Sequence, residues 1–353
     1  MFAALNVVGN PSSPHTEGRR ARAILEDARE QVAGLVGAKP TEVVFTSGGT
    51  EGNNAVLMAG WDKILLPGIE HDSVEVPARR SRARLLDIPV DREGIVEADG
   101  LAAALASTSQ GRTLLTLQLA NNETGVLQPV AEITRQAKRL GLAVHSDAVQ
   151  AVGRVSVDVA KLGVDYLTLS AHKLGGPQGI GALVIRGHAA LPPFITGGGQ
   201  EQRRRAGTEN FAAIAAFGAA AAAARRELAQ MPRLEMLRAR LESEVRTVTP
   251  EAVIVAARAP RLPNTTALAL PGASAETLVI QLDLAGVAVS AGAACSSGKV
   301  GASRVLAAMG LAPELARAAI RISLGHSSTE RDIARFLQAW TYLAGKRGAC
   351  AVA

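Results

Sequence analysis

One lysine stands where an amine could do chemistry. Lys173 follows the apolar, strand-like run Tyr166–Leu169 and precedes Gly175-Gly-Pro177, a sequence that can continue neither a strand nor a helix. We therefore expect Lys173 at the end of a buried strand, where sheet-based active sites collect. An amine partly withdrawn from water there loses its proton more easily and becomes a nucleophile for an aldehyde. Taken alone, the same segment fits an ordinary surface lysine beside a loop, which is the commoner case.

Two upstream segments offer binding groups for a cofactor that carries both a phosphate and an aldehyde. Val43–Phe45 is predicted to be a strand and Thr46-Ser-Gly-Gly-Thr50 a turn into a helix, whose first amides and hydroxyls can bind phosphate. Leu142–His145 is predicted to be a second strand, and Asp147 follows it. An ionised carboxylate there keeps a pyridine nitrogen protonated, which makes the ring an electron sink. By itself the turn is weak evidence and Asp147 is more often a helix N-cap, but with Lys173 they fit pyridoxal 5′-phosphate.

Nine segments in order resemble the fold-type I, class V pyridoxal-phosphate enzymes, and within them the cysteine desulfurases of the NifS and IscS kind. The resemblance extends from Gly9 to about Ala339. It rests on these segments: Gly9-Asn-Pro-Ser-Ser-Pro-His15, Phe45-Thr-Ser-Gly-Gly-Thr-Glu51, Glu70-His-Asp-Ser-Val74, Asn121-Asn-Glu-Thr-Gly125, His145-Ser-Asp-Ala-Val-Gln150, Ser170-Ala-His-Lys173, Gly197-Gly-Gly-Gln-Glu201, Arg205-Ala-Gly-Thr208 and Ala294-Cys-Ser-Ser-Gly298. Several are short, but nine of them in family order do not arise by chance.

The resemblance implies a set of cofactor residues in this chain. Lys173 is implied as the lysine that forms the Schiff base with the cofactor and moves the Cα proton of the substrate. Asp147 is implied as the partner of the pyridine nitrogen. The other implied contacts are Gly49, Thr50, Ser170, His172 and, from the partner subunit of a homodimer, Thr208 for the phosphate, and Gln150 and Asn122 for the ring hydroxyl oxygen. No metal ion is expected.

Further side chains are implied to act on the substrate. His71, in the context Glu-His-Asp-Ser-Val, is similar to the imidazole that stacks on the cofactor ring and shuttles protons, although a lone histidine is more often structural. Arg321 is similar to the arginine that holds the substrate carboxylate through a bidentate pair, and Asn122 is placed with it among the substrate-binding residues. Without the resemblance, Arg321 would be interpreted as part of a surface salt bridge.

By the resemblance, Cys295 is the residue that decides which reaction the enzyme catalyses. It lies in Ser290–Ala302, a segment of mostly small residues that lacks the apolar side chains needed to hold a loop in one place. The surrounding glycines and serines argue against the buried, inert role that is commoner for a cysteine. We expect the Cys295 thiolate to attack the sulfur of L-cysteine, so that L-alanine leaves and a persulfide stays for a sulfur-acceptor protein. That acceptor is an iron–sulfur scaffold or a tRNA-modifying enzyme, a choice that the sequence leaves open.

Two other classes of function stay open on the sequence. A selenocysteine lyase or another class V enzyme uses the same cofactor, and Cys295 argues against a small aminotransferase but not against a preference for selenium. A non-catalytic family member would keep the fold without turnover. The start of the chain makes this conceivable, because Met1–Val8 leads directly into Gly9-Asn-Pro11 where relatives carry a strand and a Leu-Asp-x-Ala-Ala-Thr-Thr-Pro segment. The intact catalytic set argues against it.

The composition is that of a soluble protein with a large core. The chain has 353 residues, 48% of them hydrophobic, and two cysteines, Cys295 and Cys350, whose contexts do not suggest a disulfide. No apolar run approaches membrane-spanning length, so we expect a cytoplasmic protein with no membrane partner. The net charge of +6 comes from scattered arginines, and with 3% aromatic residues and no binding motif we expect no direct nucleic-acid binding. The cluster Arg203–Arg205 beside Thr208 is the exception, since it suits an anionic cofactor.

Short apolar strands alternate with amphipathic helices, a pattern typical of a parallel, doubly wound sheet. Predicted strands are Val43–Phe45, Lys63–Leu66, Arg84–Ile88, Thr113–Leu119, Leu142–His145, Tyr166–Leu169, Ala182–Arg186, Val253–Ala256, Thr266–Leu270 and Ala288–Ser290. Met231-Pro232 interrupts the alanine-rich helix predicted for Phe211–Gln230, so we place a domain boundary there. We expect an α/β fold of type I, with a large cofactor-binding domain at residues 1–230 and a smaller α+β domain at residues 231–353 that carries the Cys295 loop.

Overall fold

The computed structural model of the protein describes residues 1–97, 100–101, 111–292 and 303–350, the last five by their backbone. Contacts divide the chain into two compact units. The first unit comprises Met1–Ile88, Ala98–Ala120 and Gln128–Leu228, and the second comprises Pro89–Glu97, Asn121–Leu127 and Ala229–Ala353. The division into a large domain at residues 1–230 and a small domain at residues 231–353 stays a prediction.

A seven-stranded sheet forms the centre of the first unit. Its strands are β1 (Val43–Thr46), β2 (Lys63–Pro67), β3 (Arg84–Ile88), β4 (Thr113–Thr116), β5 (Ala143–Asp147), β6 (Tyr166–Ser170) and β7 (Gly181–Ile185). They lie in the order β1-β7-β6-β5-β4-β2-β3, and β7 runs against both of its neighbours while the other strands share one direction. Every residue of β2, β6 and β7 is buried, so both faces of the sheet are covered, and this explains the uninterrupted apolar runs in the sequence.

Seven helices of the first unit lie in the described residues: α1 (Phe2–Leu5), α2 (Thr16–Val36), α3 (Gly49–Leu57), α4 (Asp72–Arg80), α5 (Val130–Arg139), α6 (Val159–Leu162) and α7 (Phe211–Glu227). The longest two, α2 and α7, pack closely on each other. A Cβ on Gly218 of α7 would lie 2.6 Å from the Cα of Ala28 in α2, so glycine is required at this crossing. Short 3₁₀ turns occupy Pro40–Glu42, Ala171–Leu174, Gln200–Arg203 and Leu228–Gln230.

The second unit contains an antiparallel sheet of four strands in the order β10-β11-β9-β8. These are β8 (Val253–Ile254), β9 (Thr265–Ala269), β10 (Ser290–Ala291) and β11 (Ala319–Ser323), and the helices are α8 (Met231–Val248), α9 (Ala275–Leu284), α10 (Arg304–Ala308), α11 (Pro313–Arg317) and α12 (Glu330–Cys350). Trp340 of α12 is fully buried and stacks on Phe336 at 5.9 Å between ring centroids. In the part of the chain that the structure describes, no helix combines the length and apolar character needed to cross a membrane.

Pro232 begins a helix rather than ending the helical region. The sequence predicts that Met231-Pro232 interrupts a helix, and α7 does end at Glu227, but α8 starts at Met231 with Pro232 in its first turn. A proline is tolerated there because the first amide groups of a helix have no partner within the helix. The prediction therefore missed α8, although it placed the interruption within a few residues.

Three consecutive residues before α7 adopt a left-handed backbone. Glu201, Gln202 and Arg203 have φ angles of 42°, 58° and 64°. A left-handed backbone costs about 1–2 kcal/mol of folding free energy for each residue that has a side chain. The Glu201 carboxylate is buried and accepts hydrogen bonds from both terminal nitrogens of Arg29, at 2.8 and 2.7 Å, and from the Phe45 amide at 2.8 Å. These bonds hold the turn against β1 and offset its strain.

Candidate active site

The carboxyl edge of the central sheet brings together an amine, an imidazole and a carboxylate. Asp147 is the last residue of β5, and Lys173 follows β6 in the short 3₁₀ helix Ala171–Leu174. Since β5 and β6 are parallel neighbours, both strands end at this edge. Lys173 and His71 are close enough that their charges act on the Asp147 carboxylate. The fold therefore gathers these three side chains at one place.

Asp147 is a buried acid. Its Oδ1 accepts a hydrogen bond from the Val149 amide at 2.9 Å, and its Oδ2 accepts one from Asn53 Nδ2 at 2.7 Å. Burial raises the pKa of Asp147, and these hydrogen bonds together with the charges of His71 and Lys173 offset that rise only in part. Burial removes the water that would stabilise the ionised carboxylate. A protonated nitrogen placed against Asp147 would stabilise it instead through the attraction of opposite charges.

A chain of hydrogen bonds that sequence reasoning missed connects Asp147 to His71. Asn53 is fully buried in α3, and its Nδ2 donates to Asp147 Oδ2 and, at 2.9 Å, to Ser73 Oγ. Ser73 Oγ in turn lies 2.8 Å from His71 Nδ1. The Ser73 backbone amide also donates to His71 Nδ1, at 3.1 Å. Because that nitrogen is an acceptor, the neutral His71 ring carries its proton on Nε2.

The turn from β1 into α3 brings backbone amides to the same region. Gly49 is the first residue of α3, and among the described residues no side chain caps the start of this helix. A Cβ on Gly49 would lie 2.8 Å from Val149 Cγ2, and a Cβ on Gly181 would lie 2.7 Å from the Gly48 backbone. Glycine is therefore needed for this close packing. Thr50 is exposed at the same helix start, where amide groups and the helix dipole attract a phosphate.

Ser170 and His172 are a second pair of predicted phosphate ligands, and they contact each other. Ser170 Oγ lies 2.9 Å from His172 Nδ1. Burial, and after it the positive charge of Lys173, lowers the pKa of His172, so its ring is neutral near pH 7 and can donate one hydrogen bond. Of the other predicted cofactor residues, Thr208 is exposed in the loop before α7 and Gln150 is partly buried after β5.

The second unit holds the two residues predicted to bind substrate. Arg321 lies in β11, and its Nη1 donates to the Asn122 carbonyl oxygen at 2.8 Å. Its Nη2 donates to Ser290 Oγ at 3.1 Å, and its buried Nε has no hydrogen-bond partner within the described ranges. Arg321 and Asn122 are thus in contact. Cys295 lies outside the described residues.

Comparison with known proteins places the chain in a family. The Aminotransferase class-V family matches residues 4–336. The cysteine desulfurase IscS of Dictyoglomus turgidum is 40% identical over 336 residues, which cover 92% of this chain and 84% of that protein. The chain belongs to the class-V aminotransferases, among the cysteine desulfurases. A NifS-like protein from Rickettsia africae, known from an X-ray structure, is 36% identical with a TM-score of 0.89, over 97% of this chain and 94% of that one.

A more distant structure is described as SspA in complex with cysteine. It is 26% identical to this chain with a TM-score of 0.76, over 92% of this chain and 94% of that one. Like other cysteine desulfurases of the class-V family, this chain is an enzyme that depends on pyridoxal 5′-phosphate. The prediction of a fold-type I α/β architecture is confirmed.

The residues at the sheet edge fit this cofactor. Burial leaves Asp147 with a raised pKa, which a cationic pyridine nitrogen would reverse. The start of α3 offers amide groups that no described side chain caps, and a Cβ on its Gly49 would lie 3.7 Å from Ser170 Cβ. Lys173 supplies the amine that an aldehyde needs. The ring nitrogen, the phosphate and the aldehyde of the cofactor therefore each have a chemically suitable group in this unit.

Proposed function

We propose that this chain converts L-cysteine to L-alanine and leaves a persulfide on Cys295. The observation that carries the proposal is the grouping of Lys173, His71 and Asp147 at the carboxyl edge of the sheet. An amine and an imidazole can move the protons of an amino acid, and a buried carboxylate can keep a pyridine ring cationic. Similarity to a protein described in complex with cysteine supports the choice of substrate.

The cofactor residues divide between the ring and the phosphate. Pyridoxal phosphate, when bound, supplies a ring that takes up the electron pair released at the substrate Cα. By the resemblance, Asp147 would hold the ring nitrogen, and Gln150 and Asn122 would hold the ring hydroxyl oxygen. The residues that would hold the phosphate are Gly49, Thr50, Ser170, His172 and Thr208 of the partner subunit.

Lys173 is the proposed base for the Cα proton. The 3₁₀ helix that carries it ends at Leu174. Gly175 follows with a φ of 82°, a left-handed conformation that glycine adopts without strain. The positive charge of Lys173 acts on both Asp147 and His172, and loss of its proton yields a neutral amine. That amine can accept the Cα proton and return a proton to the product.

His71 is the second proposed proton carrier. Its Nδ1 is occupied by the Ser73 amide, so Nε2 is the nitrogen that carries a proton in the neutral ring. The ring can therefore donate a proton from Nε2 before it accepts one there. Ser73 and Asn53 fix this arrangement, because Asn53 Nδ2 donates to the Ser73 hydroxyl next to His71.

Arg321 and Asn122 are the proposed substrate-binding residues. Contacts with the Asn122 carbonyl and Ser290 Oγ orient the Arg321 guanidinium, and its buried Nε has no partner among the described groups. A planar guanidinium can bind a carboxylate through two parallel hydrogen bonds. We propose that the carboxylate of L-cysteine is bound in this way.

Cys295 is the proposed sulfur acceptor within the enzyme. Its thiolate attacks the sulfur of the substrate, and the new sulfur–sulfur bond forms as the carbon–sulfur bond breaks. The electron pair of the broken bond stays with the carbon skeleton, which takes up protons and leaves as L-alanine. The terminal sulfur of the persulfide then passes to an acceptor protein, which we propose to be an iron–sulfur scaffold or a tRNA-modifying enzyme. We also propose that the protein is cytoplasmic. We propose that it is a homodimer, because the resemblance implies that Thr208 binds the cofactor phosphate of the partner subunit.

Exchange of the Cα hydrogen tests the roles of Lys173 and Cys295 separately. Holoenzyme is incubated with L-alanine, the proposed product, in deuterated water, and incorporation of deuterium at Cα is followed by NMR. We expect the wild type and Cys295→Ala to exchange at similar rates and Lys173→Ala to exchange at least about a hundredfold more slowly. Loss of exchange in Cys295→Ala, or its retention in Lys173→Ala, would contradict the assigned roles.

A further inference from the structure

Glu51 places a negative charge at the start of α3, where we propose that the cofactor phosphate binds. It lies in the first turn of the helix. Its Oε2 accepts hydrogen bonds from the Ser47 amide, at 3.0 Å, and from the Ser47 hydroxyl, so the carboxylate folds back over the turn Thr46–Thr50. A carboxylate alone is favourable at a helix N-terminus, but it repels a phosphate that uses the same amide groups.

Arg205 compensates the charge of Glu51. Its Nε donates to Glu51 Oε1 at 3.0 Å, and its Nη2 donates to Oε2 at 3.4 Å. The two side chains are 24% and 17% exposed, so water and salt screen the pair less than a surface pair. Burial raises the pKa of Glu51, but hydrogen bonds from Arg205 and Ser47 outweigh it and hold the pKa below its ordinary value. Glu51 is therefore ionised at neutral pH.

The segment that carries Arg205 is attached to β1 at its other end. Glu201 accepts hydrogen bonds from the Phe45 amide and from Arg29, and Gln202 Nε2 donates to the Thr41 carbonyl oxygen at 3.0 Å. Phe45 is the residue of β1 that leads into the phosphate turn. The segment Glu201–Arg205 thus holds the turn on both sides, through Glu201 before it and through Arg205 after it.

We propose that Arg205 is a positioning residue for the cofactor phosphate, which neutralises Glu51 and is held in place by the left-handed turn Glu201–Arg203. The inference rests on the proposed phosphate site in the first turn of α3. With Arg205 in place, that turn presents amide and hydroxyl donors without a net negative charge beside them. The strained backbone then has a role, since it directs the chain back so that Arg205 reaches the helix.

A purely structural ion pair makes a different prediction. If the pair only stabilised the fold, its loss would weaken every ligand of the site to the same extent. A charge-balancing residue instead affects the ligand that carries the phosphate. Pyridoxal, which has the ring and the aldehyde but no phosphate, separates the two cases.

The test measures dissociation constants of pyridoxal phosphate and pyridoxal for the apoprotein by absorbance titration, at one fixed ionic strength. The variants are Arg205→Gln, Glu51→Gln with Arg205→Gln, and Arg205→Lys, which keeps the charge. Arg22→Gln is the matched control, because Arg22 is an exposed arginine that also forms an ion pair with a glutamate, Glu26, but in α2. Thermal unfolding of each apoprotein checks that it is folded.

We expect Arg205→Gln to weaken pyridoxal phosphate about tenfold and pyridoxal less than about twofold, the effect of one uncompensated nearby charge. The double variant, in which both charges are absent, and Arg205→Lys should both bind within about threefold of the wild type, and Arg22→Gln should match it. Equal losses for the two ligands, or unchanged binding of pyridoxal phosphate by Arg205→Gln, would overturn the proposal. A wild type that binds the cofactor but forms no alanine from cysteine would refute the proposed reaction and leave this role of Arg205 standing.

Discussion

At the scale of single residues, Asp147 is the side chain in which stability and the proposed function oppose each other. Burial raises the pKa of its carboxyl group in the folded apoprotein, whereas in the unfolded chain the group ionises at its ordinary pKa. Its contribution to the free energy of unfolding is therefore fully present at low pH. That contribution is lost as the pH rises from the unfolded-state pKa through the folded-state pKa. A cationic ring nitrogen would reverse this cost in the holoenzyme.

Asp147→Asn removes the buried charge at every pH. We expect the apoprotein of this variant to melt about 1 to 3 °C above the wild-type apoprotein at pH 8, with a smaller difference at pH 5. The variant should also bind pyridoxal phosphate more weakly, because the ring nitrogen loses its partner. Differential scanning fluorimetry of both apoproteins across this pH range measures the difference. A difference that shrinks as the pH rises would show that the carboxylate is not destabilising.

Asn53 is one of the groups that stabilise the ionised form of Asp147 against the effect of burial. Asn53→Ala removes the donor to Asp147 Oδ2, so the pKa of Asp147 should rise further. We expect the acidic limb of cofactor binding to move to higher pH and affinity at pH 7 to fall about fivefold, the effect of one lost buried hydrogen bond. Titration of the apoprotein with pyridoxal phosphate between pH 5 and 9 checks this. Asn54→Ala is the control, because its amide donates to Thr50 one turn earlier in α3, and a shift of the same size there would contradict the account.

The sequence indicates Lys173, Asp147 and His71 because each lies in a short segment that resembles a segment of the family. Asn53 carries no such mark, since asparagines are common in helices. Arg205 is marked by the segment Arg205–Thr208 and by the cluster Arg203–Arg205, but nothing in the sequence indicates Glu51 as its partner. Asn53 does have one signal, which is a polar side chain on the apolar face of an amphipathic helix. Its partners come from α4 and β5, and only the fold places those elements beside it.

At the scale of elements, the proposed phosphate site depends on how closely α3 packs on the sheet. Gly49 lies where a Cβ would be 2.8 Å from Val149 Cγ2, and a Cβ on Gly52 would be 3.1 Å from Thr168 Cγ2. Two glycines in the first turn therefore allow the helix to approach β5 and β6. The approach places the amide groups of α3 at the sheet edge that carries Asp147 and Lys173.

Gly49→Ala should displace the start of α3. We expect the variant to lose about 1–3 kcal/mol of stability through overpacking and to bind pyridoxal phosphate at least about tenfold more weakly, because the amide groups move. Chemical denaturation and cofactor titration measure the two effects. Gly325→Ala is the control, since a Cβ there meets no atom within 4 Å. Full cofactor affinity in Gly49→Ala would contradict the assignment of this turn.

The sequence predicts strands at all seven positions of the central sheet. The buried strands give short apolar runs bounded by turns, and the edge strand β3, which is mostly exposed or half-buried, was still found. Their ends differ from the prediction by a few residues: β4 ends at Thr116 rather than Leu119, and β5 extends to Asp147. The antiparallel direction of β7 was not predicted, since direction depends on pairing. The left-handed turn at Glu201–Arg203 also had no signal, because none of its residues is a glycine or an asparagine.

At the scale of the whole molecule, the two compact units are not consecutive in the chain. Pro89–Glu97 and Asn121–Leu127 belong to the second unit by their contacts, although they lie within the first 230 residues. Asn122 therefore contacts Arg321 almost two hundred residues later. A single boundary in the sequence cannot show that two segments from the first 230 residues belong to the second unit. The family was still evident, because its segments are spread over both units.

The central claim is tested most directly by the products that the holoenzyme forms from L-cysteine. Protein reconstituted with pyridoxal phosphate is incubated with L-cysteine and a thiol reductant, and alanine and sulfide are quantified for the wild type, Cys295→Ala and Lys173→Ala. We predict equal amounts of alanine and sulfide from the wild type, and rates at least about a hundredfold lower from both variants that retain the fold. No alanine from a wild type that holds its cofactor, or wild-type rates from Cys295→Ala, would contradict the account.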